Sequence, residues 1–455
     1  MRTTTVAATL VAALVAALAL PGAVLAHGSH AQPKDGAASA PPPSYVAGAP
    51  RWWKGNTHTH SWWSDGDSPP ETIAAWYRER GWHFLVFSEH NRMAEGESWY
   101  PVNTDQKRDA LALYRTQFGS EWVVERTAAD GTPEVKLKAL DEFRTLFEAP
   151  GQFAFIKGQE ITDRFFEHPV HLNGVNLEKL VIPQGGDSIA QMIQRNVDAV
   201  VEQGRRTGRP TFVHVNHPNF HYAITVEDLL PLKVTKGDGF FEVYNGHPGV
   251  RNEGDATRPS MERMWDILLA KRLGELGLEP IYGIATDDSH EYTRWGVGEV
   301  NPGRGWIMVR SARLTPDSIS AAIRRGDFYA STGVTLEEVQ VGPRTLTLEV
   351  EPQPGVEYRI EFVGTRRGVD LAGRPVETPA TAVQPANERW RQSLHYDERI
   401  GTVLRTVNGT RASYELRGDE IYVRARVVST KPHPNPYRAG DVEMAWTQPL
   451  VPPMR

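Results

Sequence analysis

The sequence predicts an α/β protein that consists of a seven-stranded (β/α) barrel followed by a C-terminal antiparallel β-sandwich. Between about residues 51 and 335, short apolar runs alternate with segments of helical periodicity, which is typical of strands joined by crossover helices. Seven apolar runs lie in this one unit, and this favours a closed barrel over an open sheet. From about residue 336 onward, apolar residues recur at every second position between turn residues, which indicates antiparallel strands.

The strand candidates are short and rich in β-branched and aromatic residues. In the barrel region they are GNTHTH, HFLVFSEH, FAFIKGQEI, VHLNGVNL, TFVHVNH, GFFEVYN and IYGIATDD. In the C-terminal region they are TLTLEV, EYRIEFV, SYELRGDEIYVRARVV and the closing AWTQPLV. The helices between the first seven predict parallel pairing, since parallel neighbours need a long connection.

Two segments have clear helix signals. In SPPETIAAWYRERG, Ser68 is placed to cap the helix, two prolines occupy the first turn and Gly81 follows the last turn. In DSIAQMIQRNVDAVVEQG, apolar residues recur at helical spacing and are expected to face the barrel. These residues are Ile189, Met192, Ile193, Val197, Val200 and Val201.

The chain divides into four regions. Residues 1–26 are predicted to be a signal peptide, 27–50 a flexible leader rich in Ala, Pro, Gly and Ser, 51–335 the barrel and 336–455 the β-sandwich. A polar insertion at residues 91–150 contains its own helix, DQKRDALALYRTQF. This insertion either covers an active site or is peripheral.

The amino terminus predicts export to the periplasm or secretion. A single early charge at Arg2 precedes an apolar run, the breaker pair Pro21 and Gly22, and small residues that lead to Ala26, after which cleavage is expected. The apolar run is short for a membrane span and no polybasic stop follows, although an uncleaved anchor would have a similar sequence. No stable membrane insertion is therefore expected.

Composition excludes several classes of function. The chain of 455 residues contains no cysteine, which excludes disulfides, a thiolate nucleophile and thiolate metal ligands. The formal net charge is −6 and no run of Lys and Arg occurs, so a nucleic acid polymer is not an expected partner. The oligomeric state is not indicated.

The strand candidates carry metal-capable side chains at or near their ends. They are His58 and His60 in the first, Glu89 and His90 in the second, Glu160 in the third, His171 in the fourth, His214 and His217 in the fifth, and Asp288 and His290 after the seventh. Residues at the carboxyl ends of parallel strands meet at one mouth of a barrel. So many carboxylates and imidazoles would repel one another or lose hydration there, and divalent cations resolve both problems. A nitrogen and oxygen ligand set suits zinc, manganese or iron.

These residues resemble the PHP family, named for polymerase and histidinol phosphatase domains, including its branch of carbaryl-type metallohydrolases. The resemblance covers roughly residues 52 to 335 and rests on HTHSWWSDG, FSEHN, GQEIT, VHLNG, VNHP and TDDSH in that order. It implies a distorted seven-stranded (β/α) barrel with two or three divalent metal ions and phosphoester hydrolysis.

The resemblance also implies the ligands. One metal would be held by His58, His60, Glu160 and Asp288, a second by Glu160, His171 and His217, and a third by Asp65, His90 and His290. Many family members have histidine at the Asp65 position and others have aspartate, which leaves the metal preference of the third site open.

Three positions have a near-duplicate. His171 is preferred to His168, which precedes Pro169 and lies before the strand. His217 is preferred to His214 because of the HP pattern. Asp288 is preferred to Asp287 because the D-x-H spacing places it on the same face as His290.

The expected reaction is hydrolysis of a phosphoester, most specifically a small-molecule phosphodiester, by in-line attack of a hydroxide that bridges two metals. Asp288, His217 and Arg294 are the predicted catalytic residues. Trp62, Trp63 and Trp99 would either line the mouth for a second ester group or pack against the barrel rim. Further candidate phosphate contacts are Lys54, Asn245 and His247.

Three alternatives stay open. The same centre would serve a carboxyl-ester or carbamate hydrolase or a phosphomonoesterase, and a non-catalytic metal- or glycan-binding protein would use the β-rich tail. The sequence distinguishes none of the ester classes, because each needs the same metal-activated water.

Overall fold

The computed structural model describes residues 49–376 and 391–453. The predicted signal peptide and nearly all of the predicted leader, residues 1–48, lie outside the described residues. Within the described residues, none of the helices has the length and apolar character needed to cross a membrane.

The first part of the chain, as predicted, mixes helices and strands. Its elements are β1 (Arg51–Asn56), α1 (Pro70–Glu79), β2 (Phe84–Phe87), β3 (Ser98–Pro101), α2 (Asp105–Phe118), β4 (Glu125–Thr127), β5 (Pro133–Leu137), α3 (Leu140–Phe147), β6 (Ala154–Phe165), β7 (His168–Val175), α4 (Ile189–Thr207), β8 (Phe212–Val215), α5 (Val226–Leu229), β9 (Phe240–Asn245), α6 (Met261–Gly274), β10 (Tyr282–Thr286), β11 (Trp306–Ser311), α7 (Pro316–Arg324) and β12 (Phe328–Ser331). Each of the seven strand candidates overlaps a strand, although GNTHTH shares only Gly55 and Asn56 with β1 and its two histidines follow the strand.

The C-terminal part contains only strands among its described residues. They are β13 (Leu336–Val341), β14 (Thr345–Val350), β15 (Tyr358–Arg366), β16 (Thr402–Asn408), β17 (Arg411–Glu415), β18 (Glu420–Pro432) and β19 (Val442–Thr447).

One sheet of 13 strands connects both parts, in the order β10-β9-β8-β7-β6-β2-β1-β11-β12-β19-β18-β15-β16. The seven predicted barrel strands are therefore neighbours. Past their ends, β1 and β10 meet through a parallel bridge between Thr59 and Ser289, with the His60 amide donating to the Ser289 carbonyl at 3.0 Å.

The prediction of uniformly parallel pairing is wrong for β7. This strand pairs antiparallel with both β6 and β8, whereas β1, β2 and β6 pair in parallel. The reason is the short link between Phe165 and His168, which forms a hairpin and is too short for a crossover. As a result, His171 lies near the amino end of β7 and opposite Thr162 of β6. It reaches the same edge of the sheet as the carboxyl ends of the parallel strands.

The C-terminal strands pair antiparallel, β13-β14-β17 as a separate sheet and β15, β16, β18 and β19 as part of the large sheet. Residues of both sheets, including Leu346, Leu348, Phe362 and Val427, belong to one apolar cluster. Because β12 pairs with β19, the large sheet contains strands from both sides of the predicted boundary at residue 335.

The helix signals are partly confirmed. Helix α4 begins after Ser188, whose side chain accepts from the Gln191 amide, and its periodic apolar face is buried. Helix α1 has Pro69 at its N-cap and no side-chain cap. Ser68 was predicted to cap this helix, and this is wrong. Its hydroxyl instead donates to the Asp67 carboxylate at 2.8 Å.

Helix α6 is joined to β18 by a buried ion pair. Arg424 donates to both carboxylate oxygens of Asp266, at 2.8 and 2.7 Å, and to Glu262 at 2.7 Å. We expect Asp266→Ala to lower the free energy of unfolding by about 3 kcal/mol, the smaller end of the usual cost because Glu262 still contacts the guanidinium. Urea denaturation measures this.

Asp105→Ala is the control, since Asp105 pairs with Arg108 on the surface and should contribute little. Equal, small losses in both variants would contradict a structural role for the buried pair.

Candidate metal centre

Nine side chains converge at one edge of the large sheet. They form four overlapping groups, within each of which the ligand atoms lie within 4.8 Å of one another. The groups are His60, Asp65, His90 and His290; His58, Glu160 and His217; His58, His60 and Asp288; and His90, Glu160 and His171. Together they contain each of the nine residues predicted to be metal ligands.

Glu160 lies at the middle of the cluster and is fully buried. Its Oε1 is 3.5 Å from His58 Nε2, 3.1 Å from His171 Nδ1 and 3.5 Å from His217 Nε2. Its Oε2 is 3.4 Å from His60 Nε2 and 2.8 Å from His90 Nδ1. A carboxylate with imidazoles on both oxygens has the placement of a ligand that bridges two cations.

Asp288 faces the other side of His58 and His60. Its Oδ1 is 3.1 Å from His58 Nε2 and 3.4 Å from His60 Nε2, and its Oδ2 is 3.8 Å from His217 Nε2. The backbone of Asp288 has a φ of 50°, and that of His217 has a φ of 26°. Non-glycine residues rarely adopt such angles, so both side chains are aimed by strained backbone.

The third group, Asp65, His90 and His290, lies where the cluster opens to solvent. Asp65 is 3.3 Å from His90 Nε2 and 3.4 Å from His290 Nε2, and its side chain is 53% exposed. The turn that carries it needs Gly66, because a Cβ there would lie 2.5 Å from the His60 carbonyl oxygen. Access to the cluster is therefore from the Asp65 side.

Buried polar atoms of the cluster test whether cations fit it. His58 Nε2, His60 Nε2, Glu160 Oε2 and His171 Nδ1 are buried and have no hydrogen-bond partner. Unsatisfied buried groups are costly and rare in folded proteins. These four belong to the predicted ligands and point into one cluster, so the residues fit divalent cations with nitrogen and oxygen ligands.

The charge states of Glu160 and His60 are those that bind metals. Burial opposes ionisation of Glu160, but the imidazoles of His90, His171 and His58 hold its pKa well below its usual value. Burial and the neighbouring His290 lower the pKa of His60 to about 3, which leaves that imidazole neutral. Anionic carboxylates and neutral imidazoles are the forms that bind metals. By contrast, despite burial, the neighbouring carboxylates raise the pKa of His58 well above its usual value, that of His90 to about 11 and that of His290 to about 9. A cation would therefore displace protons from these three imidazoles.

The structure places the preferred member of each near-duplicate in the cluster. His168 is 3.9 Å from Glu167 instead of Glu160. His214 lies behind the cluster, 3.1 Å from Thr57 Oγ1. Asp287 is fully buried and accepts hydrogen bonds from Tyr77 at 2.7 Å and from the Arg304 amide at 2.6 Å.

Sequence reasoning missed two buried residues that contact the cluster and assigned a different role to a third. Asn216 donates to Glu160 at 2.7 Å, Glu242 is 2.7 Å from His58 Nδ1, and Asn245 donates to Asp288 at 3.1 Å. The signal for Glu242 was a single acidic residue within the apolar run GFFEVYN. Asn245 was predicted to contact phosphate, but its amide donates to the carboxylates of Glu242 and Asp288.

Two tryptophans do not line the mouth. Trp62 and Trp63 are each 1% exposed and belong to the apolar core of the insertion. Trp62 stacks on Tyr100 with ring centroids 4.7 Å apart, and Trp63 Nε1 donates to the Lys138 carbonyl at 3.0 Å. The packing alternative is therefore correct, because the indoles bury more surface against the insertion than at an open rim.

The remaining candidates lie away from the ligand atoms or at the rim. Lys54 Nζ lies 3.3 Å from the Trp82 ring centroid and 3.9 Å from that of Trp306. Arg294 is on the surface and pairs with Glu291 and Glu299. The His247 ring centroid is 5.7 Å from that of His290.

Trp99 lies in β3 of the insertion, under the Arg126 guanidinium. A cavity of about 850 Å³ lies near the amino end of β10, lined in part by Trp52, Tyr282 and Phe328. It contains none of the nine cluster residues, all of which lie at the other edge of the sheet. The chemistry of the chain is therefore assigned to the cluster and not to this cavity.

Comparison with known proteins gives structural neighbours only. No protein-family model matches the chain, and no curated protein matches it. It is similar to a two-domain protein from Bacteroides vulgatus that contains a predicted PHP-like metal-dependent phosphoesterase, with 15% identity over 88% of this chain and 96% of that chain and a TM-score of 0.35. It is also similar to a protein from Bifidobacterium adolescentis named as a metal-dependent phosphoesterase, with 13% identity over 54% of this chain and 90% of that chain and a TM-score of 0.27. Because both TM-scores are low, the assignment of the cluster rests on its own contacts.

Removal of metal should destabilise the protein. A ligand that binds only the folded state at 100 times its Kd adds about 2.7 kcal/mol to the free energy of unfolding, so a chelator should lower Tm markedly. The matched variant is Glu160→Gln, which keeps the shape of the side chain but loses the bridging charge. Calorimetry with and without chelator should show a large shift for the wild type and almost none for the variant. A wild-type Tm that does not respond to chelator would contradict the metal assignment.

Proposed function

We propose that this chain is an exported, metal-dependent hydrolase of phosphoesters, with phosphodiesters as its preferred substrates and a PHP-type barrel as its scaffold. The observation that carries the proposal is the meeting of nine metal-capable side chains, four of which leave a buried ligand atom without a hydrogen-bond partner. These four atoms lie within 3.5 Å of neighbouring cluster side chains but make no hydrogen bond of good geometry, and cations bound there would satisfy them.

In the ligand sets that the resemblance implies, Glu160 is shared by two cations. His58, His60, Glu160 and Asp288 would hold one cation, Glu160, His171 and His217 a second, and Asp65, His90 and His290 a third. The contacts also place His217 with His58 and Glu160, and His171 with His90 and Glu160. Bound divalent cations would supply a nucleophile by lowering the pKa of water and would offset negative charge on the phosphoryl oxygens.

The side chains themselves provide orientation. Burial opposes ionisation of Asp288, but His58, His60 and His290 hold its pKa well below its usual value, so the carboxylate is ionised and can bind a cation. His217 Nε2 lies 3.8 Å from Asp288 Oδ2, so both groups can orient a water molecule beside them. The strained backbones at these two residues maintain that aim.

An apolar group at the rim supports a substrate with an organic ester group beyond the reacting phosphorus. The Phe220 ring centroid is 5.2 Å from that of His217 and 5.6 Å from that of His247. Phe220 is partly exposed, unlike Trp62 and Trp63, and so takes the place that the sequence had suggested for the tryptophans. A diester can place its second ester group on such a surface, which favours diesters over monoesters.

A second candidate is hydrolysis of carboxyl esters or carbamates. The nine cluster side chains contact imidazole, carboxylate, hydroxyl, amide and backbone carbonyl groups. The nearby Arg294 is paired with Glu291 and Glu299. Such a set of partners suits a neutral ester as well as a singly charged diester.

A substrate series separates these activities. The protein is loaded with zinc, manganese or iron and is given an aryl phosphodiester, the corresponding monoester and an aryl carboxyl ester or carbamate. We expect the highest kcat/KM for the diester, with a loss of at least about 100-fold in His217→Ala. A higher rate on the monoester or only on the carbon ester would overturn the preference, and no turnover by a metal-loaded protein would favour a binding function.

Phe220→Ala should raise KM for the diester more than for an otherwise identical substrate with a methyl ester group, because only the larger group covers the ring. Equal effects on both substrates would contradict the contact. The ratio of the two KM changes is therefore the measurement, and loss of general stability does not alter it.

Export rests on the amino-terminal sequence alone. We expect mature protein from the exported fraction to begin at His27, and mass spectrometry of the intact chain measures this. A chain that retains residues 1–26 in the membrane fraction would instead support the uncleaved anchor.

A further inference from the structure

Glu242 is a fully buried carboxylate in the middle of β9, behind the metal-capable cluster. Four groups surround its two oxygens. Oε1 lies 2.7 Å from His58 Nδ1 and accepts from the Thr286 hydroxyl at 2.8 Å, and Oε2 accepts from the His217 amide at 2.7 Å and from Asn245 at 2.8 Å. These partners come from the segments that follow β1 and β8 and from β9 and β10 themselves.

The contact with His58 determines which ring nitrogen is free. A carboxylate can only accept at Nδ1, so this nitrogen carries a proton and Nε2 presents its lone pair. Nε2 is the atom that lies 3.5 Å from Glu160 and 3.1 Å from Asp288 and lacks a hydrogen-bond partner. The hydrogen bond to Glu242 thereby aims the metal-capable nitrogen into the cluster.

The other oxygen of Glu242 acts on the two strained positions. It accepts from the backbone amide of His217, whose φ is 26°, and from Asn245, which also donates to Asp288, whose φ is 50°. Strained backbone persists only where surrounding contacts hold it. The Glu242 carboxylate therefore contacts His58 Nδ1, which sets the tautomer of that ring, and the backbone amide of His217. Through Asn245 it is also linked to the side chain of Asp288.

We propose that Glu242 is a positioning residue that sets the Nε2-ligating tautomer of His58 and, together with Asn245, the placement of His217 and Asp288 for two of the proposed metal ions. This inference rests on the proposed function, since it assigns a role within the same site. Glu242 is assigned to act through His58, His217 and Asn245 and not as a ligand.

The isosteric variant Glu242→Gln is a sharp test because an amide has one accepting and one donating end. On the Oε2 side, the amide nitrogen would meet the fixed backbone N–H of His217. On the Oε1 side, it would meet the Thr286 hydroxyl, which can rotate, and His58 Nδ1, which can become an acceptor if its proton moves to Nε2. We therefore expect the amide nitrogen to face His58 and the His58 tautomer to switch.

Metal affinity is the first measurement. Titration calorimetry of the full chain with Zn²⁺ should show a 10- to 100-fold weaker Kd for Glu242→Gln, the usual effect of removing a carboxylate behind a metal-bound histidine. The control is Glu71→Gln, which changes another buried glutamate, hydrogen-bonded to Tyr114 and Trp122 in the insertion core. The control should bind Zn²⁺ as the wild type does, and equal weakening in both variants would overturn the inference.

The ring tautomer is the second measurement, and it does not depend on the folding of Glu242→Gln. In the Zn²⁺-loaded wild type labelled with ¹⁵N-histidine, the His58 ring should show a proton on Nδ1 and none on Nε2, with assignment by comparison with His58→Gln. A proton on Nε2 would overturn the inference, even if Glu242→Gln does not fold. Binding of Zn²⁺ that is equally tight in the wild type and Glu242→Gln would also overturn it while leaving the proposed function intact. Failure of the wild type to bind Zn²⁺, Mn²⁺ or Fe²⁺ would instead remove the proposed function on which it rests.

Discussion

The burial of Glu160 among five imidazoles is the constraint on which the rest of the site depends. A carboxylate that is fully removed from water needs opposite charge or donors close by. Here Asn216 donates to Glu160, and imidazole nitrogens of His58, His60, His90, His171 and His217 surround it as the other ligands of shared cations would. The imidazoles come from separate strands and loops, so the site exists only when the sheet is assembled. Binding of cations is consequently coupled to the stability of this part of the fold, because the ligands come together only in the folded chain.

A layer of buried polar residues around the cluster holds its geometry. Glu242 and Asn245 act behind His58 and Asp288, and Glu89 accepts from Ser61 and Ser64 in the turn that carries Asp65. Ser64 Oγ in turn lies 3.2 Å from His60 Nδ1. These contacts fix ring orientation and tautomer, as outer partners of metal-bound histidines generally do. Such a layer is expected of a site that must be aimed precisely, because the strained residues His217 and Asp288 cannot maintain their conformations alone.

The insertion and the C-terminal strands both contribute to the rim. The insertion buries Trp62 and Trp63, which anchors the turn that leads to Asp65. At the other side, the buried Arg304 donates to the Gly246 carbonyl at 2.9 Å and to the Asn435 carbonyl at 3.3 Å. The loop before His247 is therefore connected to the C-terminal region. These contacts give both additions a structural role at the mouth, whereas the sequence had left the role of the insertion undecided.

The local sequence determined the seven strands of the candidate barrel, the helix α4 and the set of metal-capable residues, because strand and helix periodicity and side-chain chemistry are properties of neighbouring positions. It did not predict β11 and β12, which continue the sheet, nor that β7 runs antiparallel, which follows from the short link between Phe165 and His168. The burial of Trp62 and Trp63 and the position of Glu242 behind His58 depend on contacts between residues far apart in the chain. Tertiary structure alone decided these, because a carboxylate or an indole acquires its role from what packs against it.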